Sequence, residues 1–136
     1  MCPICPLVAP PTSEISSDFN GYKHVIKEEV NCQSKYVIYL WKCIKRNCKD
    51  HPKNSYIGKT TNTFQKRFSQ HRDYIKRGDT NEPSGEHFSL PGHSVSDIQG
   101  IVIEKVKKED PFILTAREHH FIKKFDTFRN GLNRES

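Results

Sequence analysis

The sequence has no long apolar run and a low content of hydrophobic residues. No stretch approaches the roughly 18 residues that a helix needs to cross a bilayer, so a membrane-spanning segment is excluded. The first residues also lack the basic, then apolar, then small-residue order of a secretory signal, and we expect none in this sequence. Hydrophobic residues make up 34% of the 136 positions, which is enough for one small core. Aromatic residues, at 10%, argue against a disordered chain.

The five cysteines do not indicate a disulfide framework. Their number is odd, and such frameworks belong to secreted chains that carry a leader sequence. Metal binding by thiolates is the alternative chemistry, and it indicates a reducing compartment. The cysteines are Cys2, Cys5, Cys32, Cys43 and Cys48.

Positive charge is concentrated in one part of the chain. Residues 35–77 carry 12 basic and 2 acidic side chains, whereas the whole chain has a formal charge of +6. Such a block is typical of a surface that binds a polyanion. A solvated, lysine-rich surface is the other interpretation, and charge alone does not decide between the two.

The hydrophobic pattern predicts a small α/β sandwich with the element order β-β-α-β-α. Apolar, aromatic and β-branched runs predict strands at 36–42, 54–59 and 98–106. Helices are predicted at 63–77 and at about 111–124. The first helix is expected to begin at Thr63 and to end at Gly78. We therefore expect a three-stranded, largely antiparallel sheet flanked by helices.

The remaining segments are predicted to lie outside this core. Residues 1–31 are interpreted as an N-terminal extension and residues 32–136 as the folded domain. Within the extension, prolines make residues 1–21 irregular, and residues 22–30 form a short strand. A loop is predicted at 78–97, which is rich in Gly, Pro and Ser.

Six polar residues are candidates for chemistry on a phosphodiester. They are Tyr39, Tyr56, Arg67, His71, Glu118 and Asn133. Hydrolysis needs a base that activates water, a carboxylate that binds a metal and a cation that stabilises the pentavalent centre. Arg67 and His71 are four residues apart and share a helix face. Taken singly each has an ordinary explanation, because buried tyrosines are usually core residues and a helical glutamate usually lies on the surface.

The order of these residues resembles the GIY-YIG nuclease family. The motifs are VIY at 37–39, YIGKT at 56–60, R-x3-H at 67–71, Glu118 and G-L-N at 131–133. They span most of the chain, and they are most similar to the endonuclease domain of Penelope-like retroelements. The resemblance implies the layout predicted above, DNA as the partner, a nuclear location and an enzyme that nicks DNA by metal-dependent hydrolysis.

The resemblance also implies a role for each matched residue. One of the two tyrosines acts as general base or positions the attacking water. Arg67 contacts the scissile phosphate, and His71 accepts a proton or contacts the phosphate. Glu118 binds a catalytic Mg²⁺ or Mn²⁺ ion, and Asn133 supports the site.

The chain departs from the family pattern in two places. The first motif begins with Val37 instead of glycine, but its tyrosine is present. The gap from Tyr56 to Arg67 is eleven residues, one longer than in many members, and Lys66 occupies the shorter spacing. The longer gap is similar to that of the Penelope-like subgroup.

Two pairs of metal-ligand residues predict a zinc site that links two loops. Cys43 and Cys48 lie between the first two core strands, and His87 and His93 lie in the 78–97 loop. Two sulfurs and two imidazoles are a typical tetrahedral ligand set for Zn²⁺. Spacing alone leaves open that these residues are unrelated, and His51 is a competing ligand. The Penelope-like subgroup carries a Cys-Cys-His-His finger in this arrangement, which implies zinc here.

A second zinc site is a further hypothesis. Cys2 and Cys5 form a C-x2-C pair that Cys32, and also His24, could complete. The alternative is a disordered terminus with free thiols.

The basic block is expected to bind the DNA backbone. Lys59, Lys66 and Arg72 are the candidate phosphate-binding residues in the site. Contacts of this kind give affinity without reading bases, so we expect weak sequence preference.

The leading hypothesis is therefore a metal-dependent, nicking endonuclease that is fused to, or acts with, a reverse transcriptase in its relatives. A catalytically silent, zinc-stabilised DNA-binding module is the alternative, and a structural zinc protein is the third interpretation. The presence of both Arg67 and Glu118 favours activity, and the basic block argues against a purely structural protein.

Overall fold

The computed structural model describes residues 7–8, 14–27, 29–46, 48 and 54–134 of the chain. In chain order the elements are β1 (Glu14–Ser16), β2 (Lys23–Val25), β3 (Val37–Cys43), β4 (Ser55–Thr60), α1 (Phe64–Arg77), α2 (Pro83–His87), β5 (Ile98–Lys105) and α3 (Pro111–Phe125). The central sheet has the order β4-β3-β5, and both neighbours of β3 are antiparallel to it. The predicted sandwich with a three-stranded antiparallel sheet is confirmed. Among the described residues, no helix has the length and apolar character that a membrane span requires.

Alternation along β3 divides the core into two halves, because successive side chains of a strand point to opposite sides of the sheet. Tyr39, Trp41 and Cys43 pack with the buried side of α1, and we call this side the α1 face. Ile38 and Leu40 pack with α3, and we call that side the α3 face. The central strand is buried on both sides, which explains its nearly continuous apolar sequence.

The two long helices begin and end at residues that cap them. The Thr63 side chain accepts a hydrogen bond from the backbone N–H of Lys66 at 3.2 Å, and Gly78 ends α1 with a φ of 64°. These are the boundaries predicted from the sequence. In α3, the Asp110 side chain accepts from the backbone N–H of Phe112, and Pro111 stands in the first turn.

A small hairpin formed by β1 and β2 corrects the prediction for the N-terminal segment. Residues 14–16 form a strand instead of irregular chain, and the strand predicted at 22–30 covers only Lys23–Val25. Strands this short are not stable alone. They are held by the α3 face, where Ile15 and Tyr22 pack and where the Ser17 hydroxyl donates to the Phe125 carbonyl at 2.8 Å.

The segment 78–97 contains α2 and a 3-10 turn at Val95–Asp97, so the prediction of a plain loop was wrong there. Pro83 begins α2, where its missing N–H is not needed. Gly85 is present because of close packing: a Cβ at this position would lie 2.0 Å from the carbonyl oxygen of Asp79. The Gly and Pro content that indicated a loop therefore belongs to a short packed helix.

Candidate functional site

The Tyr39 side chain lies at the centre of the candidate site. It is fully buried on the α1 face, and its hydroxyl lies 2.6 Å from Nε2 of His71. Arg67 donates to the same hydroxyl from Nε at 3.2 Å. The three residues come from β3 and from one face of α1, as the four-residue spacing of Arg67 and His71 predicts. Burial raises the pKa of Tyr39 above its ordinary value near 10, and the Arg67 charge opposes this effect.

Gly58 provides the space in which the Tyr39 ring lies. The two residues are opposite each other in the β3–β4 register. A Cβ on Gly58 would lie 2.4 Å from both Cζ and the hydroxyl oxygen of Tyr39. Any other amino acid at this position would therefore displace the phenol.

His71 is buried, with 1% of its surface exposed, although a helical Arg–His pair usually faces solvent. One ring nitrogen, Nε2, contacts Tyr39, and the other, Nδ1, lies 3.0 Å from the hydroxyl of Ser84. Burial lowers the pKa of His71 to about 3, and the nearby Arg67 charge acts in the same direction. The imidazole is therefore neutral near pH 7.

Tyr56 lies beside this group but in a different environment. Its ring stacks on Trp41 with the centroids 5.5 Å apart, and it is half-buried. Burial raises the pKa of Tyr56 to about 12, and the carboxylate of Glu118 contributes to the shift. The structure therefore brings both tyrosines together, and of these two tyrosines Tyr39 is the one hydrogen-bonded to His71 and Arg67.

Glu118 reaches the site from α3. Its side chain is 14% exposed and lies 3.5 Å from the ammonium group of Lys59, measured from Oε1 to Nζ. The same ammonium donates to the Thr115 hydroxyl at 2.9 Å. A half-buried carboxylate beside the two tyrosines supplies a hard oxygen ligand that suits Mg²⁺ or Mn²⁺, which commonly keep most of their waters. The residue present thus fits the ion that was expected.

Asn133 holds β4 in place without touching the phenols. Its side-chain amide donates to the Ile57 carbonyl at 2.8 Å and accepts from the Ile57 N–H at 2.8 Å. Ile57 stands between Tyr56 and Gly58, so this pair of bonds sets the position of the second motif. The supporting role expected for Asn133 has this contact as its physical basis.

The three candidate phosphate-binding residues occupy different positions. Lys59 lies beside Glu118, as described above. Lys66 is exposed on the first turn of α1, and Arg72 is half-buried next to Asp73, with 3.7 Å between Nε and the carboxylate. Of these three, Lys59 is the one that pairs with Glu118 in the described part of the chain.

A second cluster on the α1 face has the composition of a metal centre. It consists of Cys43, Cys48, His87 and His93, whose ligand atoms all lie within 4.8 Å of one another. The Cys48 sulfur lies 3.3 Å from Nε2 of His87. Nε2 of His93 is buried without a hydrogen-bond partner among the described residues, as expected for an atom placed to bind a metal. Two sulfurs and two imidazoles so arranged fit tetrahedral Zn²⁺.

The buried Cys43 thiol would have to lose its proton to bind a metal. Burial raises the pKa of the Cys43 thiol to about 12. Because zinc binds the thiolate, loading must release this proton, and the bound metal then takes the place of the lost hydration. The competing ligand, His51, lies outside the described residues.

The hypothesis of a second zinc site concerns residues that are mostly not described. Cys2 and Cys5 lie outside the described residues. Cys32 packs against the buried hydrophobic residues of the α1 face. His24 contacts Phe121 on the α3 face and lies 2.7 Å from the Ile103 carbonyl. His24 is therefore not placed to complete a site with Cys32.

Sequence reasoning missed two hydroxyl side chains. Ser84 contacts His71 and Thr115 contacts Lys59. Thr115 could have been found from its position one helical turn before Glu118. Ser84 stands three residues before His87, but this spacing indicates a shared helix face only once a helix is recognised there.

Comparisons with known proteins give one match. A family model described as the GIY-YIG catalytic domain matches residues 35–133. Neither the curated proteins nor the solved structures include a significant match to the chain.

Proposed function

We propose that this chain, which belongs to the GIY-YIG family of catalytic domains, is a metal-dependent endonuclease that nicks DNA. Membership makes it a nuclease-type phosphodiester hydrolase with DNA as substrate. The observation that carries the proposed mechanism is the meeting of Tyr39, His71 and Arg67 at one phenol oxygen. These are a proton donor and acceptor, a neutral base and a permanent cation in direct contact.

Tyr39 acts in this proposal as a proton relay to His71. A phenol oxygen has one hydrogen and two lone pairs. Arg67 donates to one lone pair and the phenol hydrogen can go to Nε2 of His71. The second lone pair is left for the attacking water, which must reach this buried oxygen in the complex with DNA. As water attacks phosphorus, its proton moves to Tyr39, and the phenol proton moves to His71.

The lowered pKa of His71 makes it a weak base, so the relay depends on a concerted transfer. Burial disfavours both a free phenolate at Tyr39 and an imidazolium at His71 in the resting enzyme. A relay requires neither ion before the transition state. The negative charge of a bound phosphodiester beside Arg67 would offset the effect of the guanidinium on His71.

Charge that develops on the phosphate is stabilised from two sides. Arg67, from α1, lies at the Tyr39 hydroxyl, and Lys59, from β4, lies beside Glu118. Mg²⁺ or Mn²⁺, held by Glu118 when bound, supplies Lewis-acid stabilisation of the phosphate and the leaving oxygen. If Glu118 holds the ion, the Lys59 ammonium beside it would be available to the substrate phosphate.

We further propose that Zn²⁺ occupies the Cys43, Cys48, His87 and His93 cluster and that the chain is of the Penelope-like type. The supporting feature is the combination of a cysteine pair between the two tyrosine motifs with a histidine pair that lies beside it in space. In this proposal the 3′-hydroxyl of the nick primes reverse transcription, by a polymerase fused to or acting with this domain, in the nucleus.

Replacement of the two tyrosines by phenylalanine tests the assignment of the base. We expect Tyr39→Phe to lose at least about 10²-fold in the rate of plasmid nicking with Mg²⁺, because the relay loses its proton. Tyr56→Phe, the matched control, keeps its stacking on Trp41 and most of its activity. Full activity of Tyr39→Phe across alkaline pH would reject the relay. No nicking by the wild type with either ion would favour the silent DNA-binding module instead.

A further inference from the structure

We propose that Ser84 is a positioning residue for the nuclease reaction, and that the metal cluster of Cys43, Cys48, His87 and His93 acts through Ser84 to hold His71 in the tautomer that accepts the Tyr39 proton. The inference rests on the proposed function, because only a reaction that passes a proton to His71 requires that tautomer.

The hydrogen bonds of His71 require a partner such as Ser84. A neutral imidazole carries its hydrogen on one nitrogen, and the other nitrogen is the acceptor. If Nε2 is to accept from Tyr39, the hydrogen must lie on Nδ1 and needs an acceptor of its own. The Ser84 hydroxyl oxygen lies 3.0 Å from Nδ1 and Ser84 is fully buried, so this oxygen can accept the Nδ1 hydrogen without competition from water.

The other tautomer would stop the relay. With the hydrogen on Nε2, His71 would donate to the Tyr39 oxygen and could not take its proton. In the productive tautomer the balance is complete: an O–H bond of water breaks and one forms on Tyr39, while the original phenol O–H breaks and an N–H forms at Nε2. The hydroxide oxygen bonds to phosphorus, the bond from phosphorus to the 3′ oxygen breaks, and that oxygen takes up a proton from solvent. The imidazolium of His71 then returns its proton to solvent, so that only water is consumed.

The position of Ser84 depends on the metal cluster because α2 is a weak helix by itself. It has five residues, includes Gly85, and its N-cap residue Glu82 makes no capping bond with its side chain in the described structure. A single isolated turn is unstable in water. Its position is set by tertiary contacts at Gly85, which packs against Asp79, and at His87, which joins the metal cluster.

The contacts form a closed ring through α2 and β3, which His71 of α1 joins at one end. On α2, one helical turn separates Ser84 from His87. On β3, Tyr39 and Cys43 face the same side of the sheet, four residues or roughly 13 Å apart. At one end of these elements a metal would join His87 to Cys43, and at the other end His71 joins Ser84 to Tyr39. A metal at one end thus sets the spacing of the proton relay at the other.

Removal of the Ser84 hydroxyl tests the first part. We expect Ser84→Ala to lower kcat for plasmid nicking about 10- to 100-fold with KM for DNA within about twofold of wild type. Its zinc content should stay at the wild-type value. The ¹⁵N shifts of the His71 ring, recorded without DNA, should change from one tautomer to a mixture. Ser89→Ala is the matched control, since the Ser89 hydroxyl donates to the Gly85 carbonyl in the same segment and does not contact His71.

Exchange of the metal tests the second part in a folded protein. Cd²⁺ takes the same ligands as Zn²⁺ at longer bonds. We expect the His71 ring signals to shift on exchange in the wild type and in Ser89→Ala, and to stay unchanged in Ser84→Ala, where the link is cut.

The outcomes separate the inference from the proposed function. A wild-type kcat or an unchanged His71 tautomer in Ser84→Ala overturns the role of Ser84. If the His71 ring signals of the wild type do not change on metal exchange, the coupling between the metal cluster and His71 is overturned. A wild type that shows the expected His71 signals but never nicks DNA overturns the proposed function while the placement of His71 by Ser84 stands.

Discussion

The α1 face and the α3 face share the strand β3 but bury different chemistry. The α1 face contains a phenol, an indole, an imidazole and thiols, among them Tyr39, His71 and Cys43. The α3 face contains aliphatic and phenylalanine side chains, such as Ile38, Leu40 and Phe121. A buried polar group costs free energy unless a hydrogen bond or a metal satisfies it, whereas an aliphatic group requires only close packing. The α1 face should therefore respond to pH, metal and single hydroxyl groups, and the α3 face to side-chain volume.

The largest difference in nicking rate is expected between variants of two glutamates. Glu118 and Glu104 have side chains that are 14% and 15% exposed, and each is paired with a cation. Glu118→Gln should lower the nicking rate at least about 10²-fold, as should Arg67→Ala, because both remove charge stabilisation in the transition state. DNA binding should weaken far less, since many phosphate contacts remain.

Glu104→Gln is the control in the same plasmid assay. It breaks the ion pair with Arg117, at 2.7 Å, and should lower stability while nicking is retained. A Glu118→Gln enzyme that nicks at the wild-type rate would refute the assignment of Glu118 as the ligand of the catalytic ion.

A methyl group added at Gly58 tests how closely the α1 face must fit. Gly58→Ala should lower kcat about 10²-fold, because the new Cβ would meet the Tyr39 ring at 2.4 Å and move its hydroxyl. Gly21→Ala, with no atom within 4 Å of the added Cβ, is the matched control and should leave kcat unchanged. Rates are compared after circular dichroism has shown both variants to be folded. Full activity of Gly58→Ala would mean that the position of the Tyr39 hydroxyl is not critical.

Variants of the α1 face and the α3 face should differ in zinc content, because the proposed zinc ligands lie on the α1 face. His93→Ala should lower both the zinc content and Tm, because the free energy of ligand binding is partly folding free energy. Ile103→Val on the α3 face should cost about 1 kcal/mol, or about 4 °C in Tm, with zinc retained.

A chelator completes the zinc test. It should lower Tm of the wild type and of Ile103→Val alike, with little further effect on His93→Ala. Wild-type protein that melts at one temperature with and without zinc would exclude a structural metal.

The stability of the α1 face should also depend on pH. The pKa of His71 is lowered in the folded protein to about 3 from 6.5, so between these values the unfolded chain binds the extra proton. Stability should therefore fall as the pH is lowered through this interval. His71→Gln should have a shallower slope in urea unfolding at several pH values.

His119→Gln is the control for the loss of a histidine at an exposed position of α3. Both variants keep all four proposed zinc ligands, so acid release of metal is common to the three proteins. Equal slopes for wild type and His71→Gln would show that His71 does not carry this dependence.

Much of the core was predictable because its signals are local. Thr63 and Gly78 define the ends of α1 through bonds within a few residues, and the apolar, β-branched and aromatic run of β3 is typical of a buried strand. The spacing of the cysteine and histidine pairs likewise indicated a ligand set, and the fold brings the four side chains together. The hairpin of β1 and β2 was not predictable, since its short strands depend on contacts with α3 more than a hundred residues away.

The sequence by itself determined which residue types stand in which order: two tyrosines on neighbouring strands, an arginine and a histidine one turn apart, a glutamate and an asparagine. Only the tertiary structure decided that His71 is buried, that Tyr39 and not Tyr56 is hydrogen-bonded to it, and that Ser84 on α2 lies at its other ring nitrogen. The strength of a hydrogen bond changes when the distance between donor and acceptor changes by a few tenths of an ångström. Between residues 39, 71 and 84 those distances are set by how β3, α1 and α2 pack, because no local pattern links them.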